Sequence, residues 1–196
     1  MIGLPENQAV CETARVLRNG GVAAVPTETV YGLVALWRDD AARERIYVLK
    51  RRPREKRLQM LADSVETACR YGLIADERLE RLAKAFWPGG LTVVARTVGG
   101  DSIGLRIPSH PFVLSLLREL GEPLAATSAN LAGEAPGLTA QDAIAHLDGE
   151  PDILVDGGYA TVTGGAASTV VSILESEPVV LRAGQIAVEQ IREALA

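Results

Sequence analysis

The run Lys50-Arg51-Arg52-Pro53-Arg54-Glu55-Lys56 gathers five cations around one proline. Pro53 ends a preceding helix and sends the chain along an extended path, which splays the basic side chains. Forked guanidinium and flexible ammonium groups so placed suit a triphosphate, whose oxygens must be held and whose developing charge must be stabilised. Arg43, Arg45, Lys50, Arg51, Arg52, Arg54, Lys56 and Arg57 together supply eight of the 20 Lys and Arg. A solvated helix face is the alternative for such a stretch. No GxxxxGK[ST] occurs, so the run is not a P-loop.

Other polar clusters stand where apolar strands end. Pro26-Thr27-Glu28-Thr29-Val30-Tyr31-Gly32-Leu33 follows the apolar run Val22–Val25, where open α/β sheets present ligand groups. A threonine-rich turn would look similar. In Ser102-Ile103-Gly104-Leu105-Arg106-Ile107-Pro108, Arg106 sits among apolar residues on a strand. It faces either solvent or a pocket, and in a pocket a carboxylate is its natural bidentate partner. Ala125-Ala126-Thr127-Ser128-Ala129-Asn130-Leu131-Ala132-Gly133 runs small residues into hydroxyl and amide groups, which lets a ligand approach the backbone or makes ordinary Asx and Ser turns. Ser168-Thr169-Val170-Val171-Ser172, with Arg182 in Leu181-Arg182-Ala183-Gly184, repeats the pattern.

The elements that must carry these groups alternate irregularly. Val10, Ala14 and Leu17 are helically spaced before the stop Asn19-Gly20-Gly21, and Asp39 or Asp40 caps a helix running to about Lys50. Leu58–Leu61 is a short strand, and a helix over 65–86 breaks near Gly72 and stops at Trp87-Pro88-Gly89-Gly90. Leu91–Ala95 and Ile103–Ile107 form a hairpin around Gly-Gly-Asp. A helix over Pro111–Leu120, the strand Leu124–Thr127, a helix over Ala140–His146, strands at 153–155, 168–174 and 179–181, and a final amphipathic helix follow. Helices and consecutive strands so mixed predict an α/β fold with a mixed sheet, not a regular doubly wound one.

With 196 residues and 47% hydrophobic composition, one domain over 1–196 is expected. Cys11 and Cys69 fall in helical stretches without CxxC or His spacing, so neither a zinc site nor a disulfide framework is predicted. That usage, with no leader-like or membrane-length apolar run, points to the cytoplasm and away from membranes. A net charge of −5 argues against a surface that grips nucleic acid throughout, so any direct nucleic-acid contact is expected to be weak.

Taken together, PTETVYGL, KRRPREK, IGLRIPSHP, ATSAN and STVVS with LRAG resemble the YrdC/Sua5/TsaC family, in order over about Gly20 to Gly184. The resemblance implies a YrdC-like twisted open mixed sheet with flanking helices around a concave positive cavity. It implies condensation of L-threonine, bicarbonate and ATP, with Mg2+, into threonylcarbamoyl-AMP and pyrophosphate. Separate threonylcarbamoyl-transfer proteins acting on tRNA would consume the product. Carried over by position, Thr29, Arg106, Ala126 and Ser168 are threonine-site residues. Lys50, Arg52, Lys56, Ser102, Ser128, Asn130 and Arg182 are ATP-site residues. No metal ligand and no general acid or base is assigned, and neither His110 nor His146 is given a catalytic role.

The chain departs from the family pattern after the basic run, where Arg57-Leu58-Gln59-Met60-Leu61 replaces a Pro-Leu or Gly-Leu continuation. Ala132, Pro136 and Ser172 stand where relatives often carry Ser, Ser and Asp. The end near Ala196 matches the short form of the family. Two other readings compete: a non-catalytic YrdC-like RNA- or nucleotide-binding protein, and carbamoyl-adenylate chemistry as in hydrogenase-maturation carbamoyltransferases.

Overall fold

Side-chain caps start several helices at the positions their sequences dictate. Asp39, Ser64 and Asp76 accept from the amides of Ala42, Thr67 and Leu79 at 2.9, 3.0 and 2.9 Å. Each satisfies a donor that the first helical turn leaves unpaired. The structure, a computed structural model, describes residues 6–135, 137, 139–157 and 167–196. Pro136 therefore lies outside the described residues.

In chain order the elements are α1 (Glu6–Arg18), β1 (Ala23–Val25), β2 (Gly32–Leu36), α2 (Asp40–Leu49), β3 (Gln59–Leu61), α3 (Val65–Arg70), α4 (Glu77–Phe86), β4 (Leu91–Arg96) and β5 (Ser102–Arg106). There follow α5 (Pro111–Leu120), β6 (Leu124–Ser128), α6 (Ala140–Ile144), β7 (Ile153–Leu154), β8 (Thr169–Ser172), β9 (Val179–Arg182) and α7 (Val188–Leu195). Among the described residues these nine strands make one open mixed sheet, ordered β7-β1-β2-β6-β3-β5-β4-β8-β9. The fold is α/β, with seven helices among the described residues.

One strand escapes the sequence reading. No strand is expected between Val25 and Asp39, whereas β2 pairs antiparallel with β1 and with β6. All five β2 residues are buried, so its apolar run lacks the polar alternation that marks a half-buried strand. PTET is accordingly the connection of a β1–β2 hairpin.

Alternation decides which face each strand gives to which layer. Ala23, Val25, Val34, Leu36 and Leu124 pack with α1 and α5 residues such as Leu17 and Leu116. Ala24, Leu33, Ala35 and Ala125 pack on the other face with Ile46 of α2 and Ala143 of α6. Beyond β6 the arrangement changes. Met60, Leu91, Val93, Leu105 and Val171 pack with Leu79 and Leu82 of α4 and Ile191 of α7. The opposite face of that half of the sheet is the floor of a cavity.

Candidate functional site

The cavity has a volume of about 470 Å³. Its floor is the out-of-phase set of the same strands: Gln59 and Leu61 of β3, Ser102, Gly104 and Arg106 of β5, Thr92 and Val94 of β4, and Val170 of β8. Thr27, Thr29 and Tyr31 from the β1–β2 connection form one wall, and Ser128, Asn130 and Glu134 form another. Of the expected site residues, Thr29, Arg52, Ser102, Arg106, Ala126, Ser128, Asn130, Ser168 and Arg182 all line it. Lys50 and Lys56 do not line it.

Arg106 is 3% exposed, and its Nη1 donates to Thr29 Oγ1 at 2.9 Å. Thr29 is held in turn by Thr27, whose Oγ1 lies 2.9 Å from Thr29 Oγ1 and accepts from the Thr29 amide. Glu28 Oε1 stands 3.7 Å from Arg106 Nη2, and Arg106 Nε has no hydrogen-bond partner among the described residues. Burial pushes the Arg106 pKa below the ordinary guanidinium range; Glu28 opposes this and Arg182 adds to it. A guanidinium stays charged under such pressure, so it favours an anionic ligand.

Arg182 holds the start of β8, donating from Nε to Ser168 O at 3.0 Å and from Nη2 to Ser168 Oγ at 2.8 Å. Ser168 Oγ lies 3.0 Å from Thr92 Oγ1, and Thr92 Oγ1 donates to Gln59 Oε1 at 3.0 Å. Burial lowers the Arg182 pKa, as it does that of Arg52, where Tyr47 opposes and Arg182 reinforces the shift. Arg52 is fixed by its own loop, donating to Lys56 O at 2.7 Å and Arg57 O at 3.1 Å.

Lys50 is only 1% exposed, and its ammonium donates to the carbonyls of Ser128 and Asn130. Burial and the nearby Arg52 lower its pKa to about 8. It ties the C-terminal end of β6 in place, while Asn130 Nδ2 closes the following turn onto Leu131 O and Glu134 O at 2.7 and 2.8 Å. Lys56 is exposed, and its contribution is the carbonyl that orients Arg52. His110 precedes α5 and His146 pairs with Glu134 Oε2 at 3.1 Å; neither lines the cavity.

Sequence reasoning missed Gln59, Thr92, Gly104 and Arg57, all of which line the cavity. Thr92 carried a usable signal, being the polar phase of a strand whose other phase is Leu91, Val93 and Ala95. Gln59 carried none, because a three-residue strand is too short to show a period. Among the described residues no three His, Cys, Asp or Glu side chains are grouped to hold a metal ion. No described helix is long and apolar enough to cross a membrane.

Comparison with known proteins places these motifs in a wider group. The Sua5/YciO/YrdC family model, described as "Telomere recombination", matches residues 15–184. A Bacillus subtilis protein named threonylcarbamoyl-AMP synthase is 39% identical over 198 residues, covering 95% of this chain. This chain spans only 56% of that relative's length. The crystal structure of Pyrococcus abyssi Sua5 complexed with L-threonine superposes with a TM-score of 0.88 at 33% identity, covering 99% of this chain and 59% of that one. The crystal structure of E. coli YciO gives a TM-score of 0.85 at 26% identity and covers 96% and 95% of the two chains. With the match running from α1 to Gly184, two residues past β9, the chain belongs to the Sua5/YciO/YrdC family.

Proposed function

We propose that the protein is a threonylcarbamoyl-AMP synthase, converting L-threonine, bicarbonate and ATP to threonylcarbamoyl-AMP and pyrophosphate for tRNA modification. The observation that carries this reading is the buried, under-partnered guanidinium of Arg106 beside Thr29 in a cavity that also holds Arg52 and Arg182. An amino-acid carboxylate answers the first and a nucleotide triphosphate the others. The Bacillus subtilis relative's name and the threonine-bound Pyrococcus abyssi structure support the same assignment.

In this reading Thr29, Arg106, Ser168 and the Ala126 backbone form the threonine side. Arg52, Ser102, Ser128, Asn130 and Arg182 form the ATP side. Lys50 and Lys56 serve that side indirectly, through the Ser128 and Asn130 carbonyls and through Arg52. Among the described residues four arginines line the cavity against one glutamate, Glu134, which gives it a positive character. Mg2+ fits as an ion carried by the nucleotide phosphates, with Glu134 the cavity carboxylate available to it.

The chemistry is positioning and electrostatics. The threonine amine attacks bicarbonate, losing water to give a carbamate. A carbamate oxygen then attacks the α-phosphorus in line while the bond to the β-phosphate oxygen breaks. Arg52 and Arg182 stabilise charge on the departing pyrophosphate. Separate transfer proteins would pass the threonylcarbamoyl group to tRNA.

Incubation with threonine, bicarbonate, Mg2+ and α-labelled ATP tests the proposal. Threonine-dependent labelled adenylate and pyrophosphate are expected. ATP binding without threonine-dependent turnover would leave a nucleotide-binding module in its place.

A further inference from the structure

A line of hydrogen bonds crosses the cavity floor at right angles to the strands. It begins at Arg182 on β9, passes through Ser168 before β8 and Thr92 on β4, and ends at Gln59 on β3. Between β4 and β3 lies β5, which offers only Gly104 at this level. A Cβ there would stand 3.3 Å from Thr92 Cγ2 and 3.8 Å from Gln59 Cβ. The bare glycine is what lets Gln59 and Thr92 meet over the intervening strand.

The direction of the line follows from its two ends. Arg182 can only donate, so Ser168 Oγ receives from it, and Thr92 gives its one hydrogen to Gln59 Oε1. The hydrogen between Ser168 and Thr92 is therefore the one on Ser168. With its oxygen so engaged, Gln59 turns its amide nitrogen elsewhere. Gln59 Nε2 has no partner among the described residues and is not a buried orphan. The side chain lines the cavity, flanked by Gly104 and, on β6, by Ala126 in register with it. These two small neighbours leave room above the amide for a ligand.

Resting on the synthase reading, we infer that Gln59 is a substrate-contacting residue whose amide N–H donates to the carboxyl oxygen derived from bicarbonate. Charged groups already answer the charged parts of the substrates: Arg106 the threonine carboxylate, Arg52 and Arg182 the phosphates. The carbamate carboxyl is the acceptor that forms in the reaction itself, and none of these arginines answers it. Its charge falls as one oxygen becomes bonded to phosphorus. A neutral donor holds such a group without trapping the product.

Gln59→Glu keeps the acceptor for Thr92 and replaces the free donor by a carboxylate; Gln59→Leu removes both; Thr92→Val cuts the line and leaves Gln59 present. Thermal unfolding establishes that each variant is folded. Threonine-dependent pyrophosphate release is then measured against bicarbonate, threonine and ATP in turn. Gln59→Glu is expected to lose about 100-fold or more in kcat/KM for bicarbonate, the scale for removing one positioned donor. ATP affinity should stay within about twofold, because the phosphate arginines are untouched. Thr92→Val should give a smaller loss of the same kind. Wild-type bicarbonate kinetics in Gln59→Glu would overturn the assignment, as would a loss confined to ATP affinity. Wild-type protein that binds ATP yet releases no pyrophosphate overturns the synthase reading and this inference with it. The two failures are distinct, since in the first the wild type turns over.

Discussion

Arg106 Nη1 donates to Thr29 Oγ1 at 2.9 Å across 77 residues of sequence, joining β5 to the β1–β2 connection at a buried point of the cavity wall. The bond uses one of the five donors of a side chain that burial has already stripped of water. Arg106→Ala is therefore expected to weaken threonine binding by about 2–5 kcal/mol while ATP affinity changes little. Calorimetric titration of each ligand separates the effects; equal losses on both would undo the division of the cavity.

Lys50 lends itself to a different measurement. Its pKa of about 8 in the fold lies below the ordinary lysine value of 10.5. Between those values the unfolded chain binds more protons than the folded one, so this residue makes stability rise with pH from about 8 to 10.5. Below that window it is protonated in both states and adds no slope. Lys50→Met should remove that rise, seen as a flatter difference in urea unfolding free energy across the window. It should also loosen ATP binding, because two carbonyls at the end of β6 lose their donor.

At Gly184 the expected defect is steric. A Cβ there would collide with the backbone at Ala167 O and Thr169 N, neither of which can move without disturbing the start of β8. Gly184→Ala should destabilise the fold by about 1–3 kcal/mol in chemical denaturation. It should weaken nucleotide binding with it, since Arg182 and Ser168 meet at this junction.

Asp76→Ala supplies a contrast. The side chain caps α4 on the face of the sheet opposite the cavity, accepting from Leu79 N at 2.9 Å. A loss of about 1 kcal/mol in stability is expected. Turnover measured well below the unfolding midpoint should match wild type.

Local chemistry made much of this molecule legible. The β4–β5 hairpin is written in the Leu91, Val93, Ala95 alternation and the Gly-Gly-Asp turn, and antiparallel pairing of Val93 with Leu105 bears it out. Asp39 caps its helix as its residue type requires. The motifs that carry the family resemblance hold nine assigned site residues that meet in one cavity.

Pairing between distant segments decided the rest. β2 is covered on both faces, so its sequence shows no period to betray it. Lys50 reads as one more cation in a basic run, yet its neighbours in space are carbonyls from 128 and 130, and burial turns it into a tie for the backbone. Gln59 and Thr92, 33 residues apart, meet only because β5 inserts between their strands with a glycine at that level. Residue type and spacing determined which groups could do chemistry and which local elements would carry them. The order of the strands, which follows from non-local burial, determined which groups face one another and which face of the sheet was left open to a ligand.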